Sequence, residues 1–243
     1  MPPLSGKSTR VLFDQFDLTA FFTKVAAGAN VDMLDTTTFG KNARTFIPGL
    51  RAATVNAEGL WDSTLVLGSD VVLSAALSQA GERAVTVAPG ANGIGSRAQL
   101  LACNENKYSI EAPVDGVTSI VAELTAQTGM EGGVLLADQT YTTSQAGIGL
   151  ASVDNGAGST NGAVAHFHAP VATGAAGSLI VKVQHSTDNS AWADLITFTA
   201  VAFGTPASQR VEVAGTVNRY TRALVTLTGS GLSIQFTVAI ARR

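Results

Sequence analysis

Between Asp35 and Asp62 the chain reads DTTTFGKNARTFIPGLRAATVNAEGLWD, and its two halves obey different rules. From Thr54 to Trp61 the residues alternate, with Val55, Ala57 and Gly59 on one face and Asn56, Glu58 and Leu60 on the other. A period of two is the signature of a strand. The preceding residues keep neither that period nor a helical one. Asp35-Thr36-Thr37-Thr38 is polar and β-branched, Phe39-Gly40 punctuates it, and Ile47-Pro48-Gly49-Leu50 reads as a turn with apolar shoulders. The expectation is a long loop over Asp35–Arg51 feeding a strand. Loops of that length in a compact domain are functional or disordered. Disorder would leave Phe39, Phe46, Ile47 and Leu50 in water. Folded back, a segment of about 16 residues reaches roughly 26 Å at ~3.3 Å per residue. That exceeds the ~15 Å radius of gyration of a domain of this class, so the arm can lie on a neighbouring subunit.

Composition points the same way. Of 243 residues, 46% are hydrophobic and only 14% charged, against ~25% charged in an ordinary domain. A chain so poor in charge hides much of its surface against something else. Up to Gly147 there are nine basic and fourteen acidic side chains, a balance of −5; beyond it six and four give +2. This asymmetry suggests two units with different tasks, and the overall −3 argues against a basic nucleic-acid-binding surface. The lone Cys103 excludes an intrachain disulfide and reads as a small apolar strand residue. No signal-peptide pattern and no run of membrane-helix length is visible, so synthesis and folding in a cytoplasm are expected.

Turn residues divide the rest into short strands. Met1–Ser8 reads as an extended arm and Thr9–Phe13 as a strand. Leu18, Phe21, Phe22 and Val25 recur at helical spacing and suggest a short helix, followed by a strand over Ala29–Leu34. Ser69 or Asp70 caps a helix with the stripe Val72, Leu73, Ala76 and Leu77, stopped by Gly81. Strands follow over Ala84–Ala88, Ser96–Cys103, Lys107–Ala112 and Gly116–Ala126. Gln139–Gly162 has a linker composition. Six more strands follow, over 162–169, 178–186, 194–200, 208–213, 219–228 and 232–241. The fold class is mainly β: an N-terminal β-sandwich or barrel flanked by one α-helix (residues 1–147), then a C-terminal antiparallel β-sandwich of immunoglobulin-like or jelly-roll type (148–243).

Few residues offer chemistry. His166 and His168 share a strand face and supply two metal ligands, with His185 a third only if an unseen register brings it close; polar strand positions are the plainer reading. Gly90 to Gly95 resembles a phosphate loop but lacks the Lys and the following helix. Asp188 and Asp194 suit calcium or a simple turn. Tyr220 with Arg219 and Arg222 forms either an aromatic–basic patch or a strand with solvated arginines. No nucleophile elbow and no placed carboxylate pair is present. No enzyme and no cofactor are expected.

The run DTTTFG, the later F-I-P-G-L and the strand ending G-L-W-D resemble the major tail tube proteins of long non-contractile-tailed bacteriophages. P-L-S-G-K-S-T-R-V, A-P-V-D-G-V and V-Q-H-S-T-D-N-S-A-W-A-D-L through V-N-R-Y-T-R to A-R-R are similar to the same family. The resemblance implies a virion tail protein, assembled in the host cytoplasm, whose copies form stacked, hexameric rings around a channel for DNA. It implies partners at the tape measure, the tail terminator and the distal tail, and weak cell-surface contact by the second domain. Thr36, Thr37, Phe39, Phe46, Ile47, Pro48 and Leu50 are the candidate subunit interface. Asp32, Glu58, Glu111 and Glu123 are candidate channel-lining acids, since an acidic bore avoids binding phosphate. A capsid-decorating or receptor- or carbohydrate-binding sandwich is the alternative, and a carbohydrate-active enzyme the formal third.

Overall fold

The computed structural model describes residues 6–65, 67–77 and 79–243. Strands make up 63% of it and helix 5%, so the chain is mainly β. In chain order the strands are β1 (Arg10–Phe13), β2 (Phe16–Asp17), β3 (Phe22–Asp35), β4 (Phe46–Leu60), β5 (Arg83–Ala88), β6 (Arg97–Glu111) and β7 (Ser119–Tyr141). Then come β8 (Gln145–Gly149), β9 (Val153–Asp154), β10 (Ala163–Ser186), β11 (Ala193–Thr197), β12 (Val201–Ala202), β13 (Ala207–Val213) and β14 (Tyr220–Arg242). Helix α1 (Ser69–Leu77) lies between β4 and β5.

The chain divides into two compact units that are discontinuous in sequence. One comprises Met1–Ala20, Arg83–Leu100 and Glu131–Arg243; the other comprises Phe21–Glu82 and Leu101–Met130. The boundary expected at Gly147 falls inside β8, within the first unit. β6 and β7 each run through both units, so a cut at one point of the chain cannot separate them.

In the first unit β10 and β14 form an antiparallel ribbon from Ala163↔Arg242 to Ser186↔Tyr220. Register shifts at three places between His168 and Ser178 let each strand continue where the sequence suggests two. Gly174, Gly177, Gly229 and Gly231 read as breaks, but here they lie within the ribbon. The linker expected over Gln139–Gly162 is also partly strand: β8 and β9 pair with the Tyr220–Leu227 half of β14. β13 pairs with Ala163–Ala169 and β11 with Lys182–His185. Phe167 anchors the core, its ring 5.3 Å from Phe198 and 6.3 Å from Phe236. Its alternating neighbours are Leu179, Val181, Val183, Ala223, Val225 and Leu227. The Thr187–Ser190 turn forms as expected, with Asn189 at a positive φ of 60°.

In the second unit β4 lies between β3 and the Ser119–Thr125 part of β7. The helix expected over Leu18–Val25 is absent, because Phe22 and Val25 belong to β3 and pair with Gly59 and Ala57. Gly59 is required there: a Cβ would sit 2.3 Å from the carbonyl oxygen of Phe21. The strands expected either side of Asn104-Glu105-Asn106 are one strand, β6. Helix α1 ends at Leu77, short of Gly81. It buries Val72, Leu73 and Ala76 but leaves Leu77 exposed. At its start the Ser69 hydroxyl donates to the Leu60 carbonyl at 2.8 Å and accepts the Asp62 N–H at 3.2 Å. The Tyr108 hydroxyl donates to the Asp70 carboxylate in the first turn.

Candidate assembly surface

The segment expected to be a loop is mostly a β-hairpin. β3 and β4 pair from Phe22↔Gly59 out to Asp35↔Phe46, leaving only residues 36–45 as the connection. Phe46, Ile47, Pro48 and Leu50 are therefore strand residues, which corrects the Asp35–Arg51 loop. Pro48 sits beside a bulge, where β3 passes from Val31 to Met33 while β4 passes from Arg51 to Pro48. Such a position spares the N–H that proline lacks. The arm expected over Met1–Ser8 lies outside the described residues as far as residue 5.

Two physical features single out this hairpin. First, β7 pairs only with residues 54–60 of β4, so among the described residues, 46–53 and 29–35 have only each other as strand partners. A two-stranded ribbon with nothing on its faces is marginal in water. Second, the ribbon is apolar where it is bare. Val31, Met33, Leu34, Phe39, Phe46, Ile47 and Leu50 are all exposed, Leu50 by 81%. Further in, Ala53, Val55, Ala57 and Gly59 are buried and Asn56 exposed, as the alternation required.

The tip is ordered by its own polar groups. The Thr36 N–H donates to the Thr45 carbonyl at 2.8 Å, and the Thr45 N–H to the Thr37 hydroxyl at 3.0 Å. The Thr37 N–H donates to the Asp35 carboxylate at 2.8 Å, and Thr37 holds that carboxyl below its ordinary range. Gly40 takes the left-handed φ of 86° that closes the tip. Thr36 and Thr37 thus shape the tip, which presents Phe39 fully to solvent.

The four candidate channel acids are not one cluster. Glu58 and Glu123 come together, because Asn56 pairs with Glu123 and Glu58 with Val121, which sets both carboxylates on one sheet face. Glu58 is bonded to Lys24 at 2.7 Å, and Glu123 accepts the Asn106 amide at 3.2 Å. Asp32 lies at the hairpin bulge and Glu111 at the exposed end of β6.

The sequence reading missed part of the apolar surface. Leu65 and Leu67 on the β4–α1 loop, Val114 and Val117 in the β6–β7 turn, and Leu60, Trp61 and Ile110 are also exposed. Of sixteen exposed large hydrophobics among the described residues, all but Ile148 lie in the second unit. Exposed apolar surface is thus concentrated in the second unit and makes it the candidate docking surface. Leu65 and Val114 carry no periodicity, so only their exposure reveals them.

The remaining candidates are accounted for by packing. His166 and His168 do share a face and are fully buried. The Thr86 hydroxyl lies between them, 3.1 Å from His166 Nδ1 and 2.8 Å from His168 Nε2, and His168 Nδ1 donates to the Asp14 carbonyl. Burial lowers both imidazoles, His168 to about 4. His185 instead accepts the Asn218 N–H at 3.2 Å. Among the described residues no group of three His, Cys, Asp or Glu side chains can hold a metal. Residues 89–96 turn between β5 and β6, with Asn92 N–H donating to Ser96 Oγ at 2.8 Å. Asp188 closes its own turn through the N–H groups of Ser190 and Ala191, while Asp194 takes Lys182 and Gln184. Arg219 forks onto Asp154, and Arg222 stacks on Trp192 at 4.1 Å while donating to Gln184. Cys103 is buried, its thiol pushed up to about 12 first by burial and then by Glu82. No described helix is long and apolar enough to cross a membrane.

No protein-family model matches the chain, and no curated protein matches it. The chain is similar to solved structures that include the virion of a gene transfer agent particle, at 12% identity over 54% of this chain and 98% of that one, TM-score 0.43. The SPP1 tail tube is similar at 14% identity over 54% of this chain and 78% of that one, TM-score 0.44. SPP1 Dit, described as a hub adsorption apparatus protein, is similar at 12% identity over 96% of this chain and 99% of that one, TM-score 0.39.

Proposed function

We propose that this chain is a structural subunit of a phage tail, self-assembling through its second unit into stacked rings that form a tail tube. One observation carries the reading: a long two-stranded ribbon, apolar and bare on both faces, ends in a tip whose backbone is already ordered. Among the described residues β3 pairs with β4 alone, which leaves a 14-residue edge open. An open edge of that length is a template for another chain's strand. A head-to-tail contact at this edge closes into a ring when the rotation allows. Thr36 and Thr37 hold the tip in shape, while Phe39, Phe46, Ile47, Pro48 and Leu50 supply the buried contact.

The polar face bearing Glu58 and Glu123 suits the wall of a channel for DNA. Lys24 is the only cation bonded to either carboxylate among the described residues, so the face offers phosphate little to bind. Asp32 and Glu111 would lie toward the two ends of such a wall. The C-terminal region, residues 148–243, is the candidate for any contact with a cell surface. Tape measure, terminator and distal tail proteins are the partners the sequence resemblance implies.

Negative-stain microscopy of the purified protein is the test. Tubes of uniform bore are expected. Discrete monomers or trimers at high concentration would overturn the conduit in favour of a capsid-decorating or receptor-binding module.

A further inference from the structure

The second unit is apolar at both ends of the same strand. β4 begins at Phe46, beside the hairpin tip, and ends at Leu60, beside the β4–α1 loop and the β6–β7 turn. Those two connections are joined by the Trp61 N–H donating to the Thr118 carbonyl at 3.1 Å. Fourteen steps at ~3.3 Å put the two ends roughly 45 Å apart. At the far end Leu65 is exposed by 82% and Val114 by 101%, with Leu67 and Val117 beside them in sequence and also exposed.

The ends also differ in charge. Residues 36–51 contain Lys41, Arg44 and Arg51 and no acid; Asp32 and Asp35 on the facing strand bring the hairpin end to +1, with Asp35 committed to Thr37. Residues 60–70 and 108–118 contain Asp62, Asp70, Glu111 and Asp115 and no base. Asp62 and Asp70 are committed locally, to Thr64 and to Tyr108. Glu111 and Asp115 are exposed, as are Lys41 and Arg44. Apolar groups flanked by basic residues at one end and acidic residues at the other are complementary, not self-complementary. Two copies cannot pair tip to tip without like-charge contact, which costs specificity and rate.

We infer that the far end of the second unit, around Leu65, Val114, Glu111 and Asp115, is the seat for the hairpin tip of another copy of this chain. The contact is heterologous and runs along β4, so it repeats without closing and propagates an open stack. Lateral closure through the β3 edge and axial growth through tip and seat are then separate contacts. The inference rests on the assembly reading above and names the partner of its hairpin.

The test is charge reversal in the full chain. Lys41→Glu with Arg44→Glu reverses the tip; Glu111→Lys with Asp115→Lys reverses the seat. Each pair alone should raise the concentration needed for tube growth by at least ~10-fold, with unchanged circular dichroism. Mixing the two variants, or joining all four substitutions in one chain, should restore growth. If wild type forms tubes and either reversal leaves growth untouched, the seat is wrong while the conduit stands. Lost growth that neither the mixture nor the fourfold variant restores, in chains that remain folded, also overturns the seat. If wild type forms no tubes, both readings fall.

Discussion

His168 donates its Nδ1–H to the backbone carbonyl of Asp14 at 2.6 Å, tying β10 to the β1–β2 turn. A carbonyl only accepts, so Nε2 of the neutral ring must be the acceptor, and it lies 2.8 Å from the Thr86 hydroxyl. Thr86 then donates to His168 and accepts from Nδ1 of His166 at 3.1 Å. The order of the relay follows from one carbonyl. It leaves Nε2 of His166 buried and unbonded, which is the acceptor tautomer's bare nitrogen.

The buried pair predicts a pH dependence of stability. Burial lowers both rings; at His166 the charges of His168 and then Arg210 add to the effect against a hydrogen bond to the Val85 backbone, and at His168 Asp14 and Asp17 oppose it. An unfolded histidine takes its proton near 6.5, whereas folded His168 does so at about 4. Between those values the unfolded chain binds more protons, so stability falls as pH falls and is flat above the window. His168 alone should lose about 3 kcal/mol across it. Glu212, held to about 2 by Arg243 and then Arg210, loses its contribution only at lower pH. Urea midpoints from pH 7 to 4, on a chain that cannot assemble, check the slope. His168→Asn should reduce it to the share that His166 retains; an unchanged slope sinks the assignment.

Thr86→Val removes the hydroxyl that contacts both rings and leaves the His168 acceptor buried without a partner, while His166 keeps its hydrogen bond to the Val85 backbone. Such a loss costs ~1–3 kcal/mol. A drop of that size in unfolding free energy is expected, with assembly otherwise unchanged. A variant as stable as wild type would mean that the rings repack.

Gly59→Ala places a methyl group against backbone at the foot of the hairpin, 2.3 Å from the Phe21 oxygen and 2.9 Å from the Phe22 Cα. Backbone cannot swing aside as a side chain does, so a cost of ~2–3 kcal/mol is expected. Denaturant unfolding measures it. Less than ~0.5 kcal/mol would show that the β3–β4 bulge absorbs the group.

Leu50→Glu tests the ribbon in the opposite sense. Leu50 is exposed within the subunit, so its replacement should change folding stability by no more than ~0.5 kcal/mol. Burying the new carboxylate in a subunit contact without a partner should abolish tubes. Normal tubes from this variant would remove Leu50 from the interface.

Local pattern carried the reading a definite distance. The alternation of Val55, Ala57 and Gly59 fixed which side of β4 is buried, because side chains on a strand alternate wherever the strand lies. The Ser69-Asp70 signal placed the start of α1, although the Ser69 hydroxyl bonds Leu60 and Asp62 and no first-turn N–H, and Asn189 placed its turn. Leu18, Phe21, Phe22 and Val25 fit a helix as well as a strand, and pairing with Gly59 and Ala57 decided for the strand. The glycines of β10 and β14 read as ends because a bulge and a break look alike from one chain. Glu58 and Glu123 are unrelated in the sequence; that they share a face depends on Asn56 meeting Glu123, a register 67 residues apart.

Composition and short-range pattern are enough to set the β class, the apolar character of residues 39–50, and the acidic balance of the region before Gly147. These depend only on composition and on periods of a few residues. The tertiary structure alone decided that residues 46–50 are strand, that they stay uncovered within the subunit, and that a second apolar end exists at Leu65 and Val114. Exposure is what remains after every distant segment has found its place, and no local pattern contains that information.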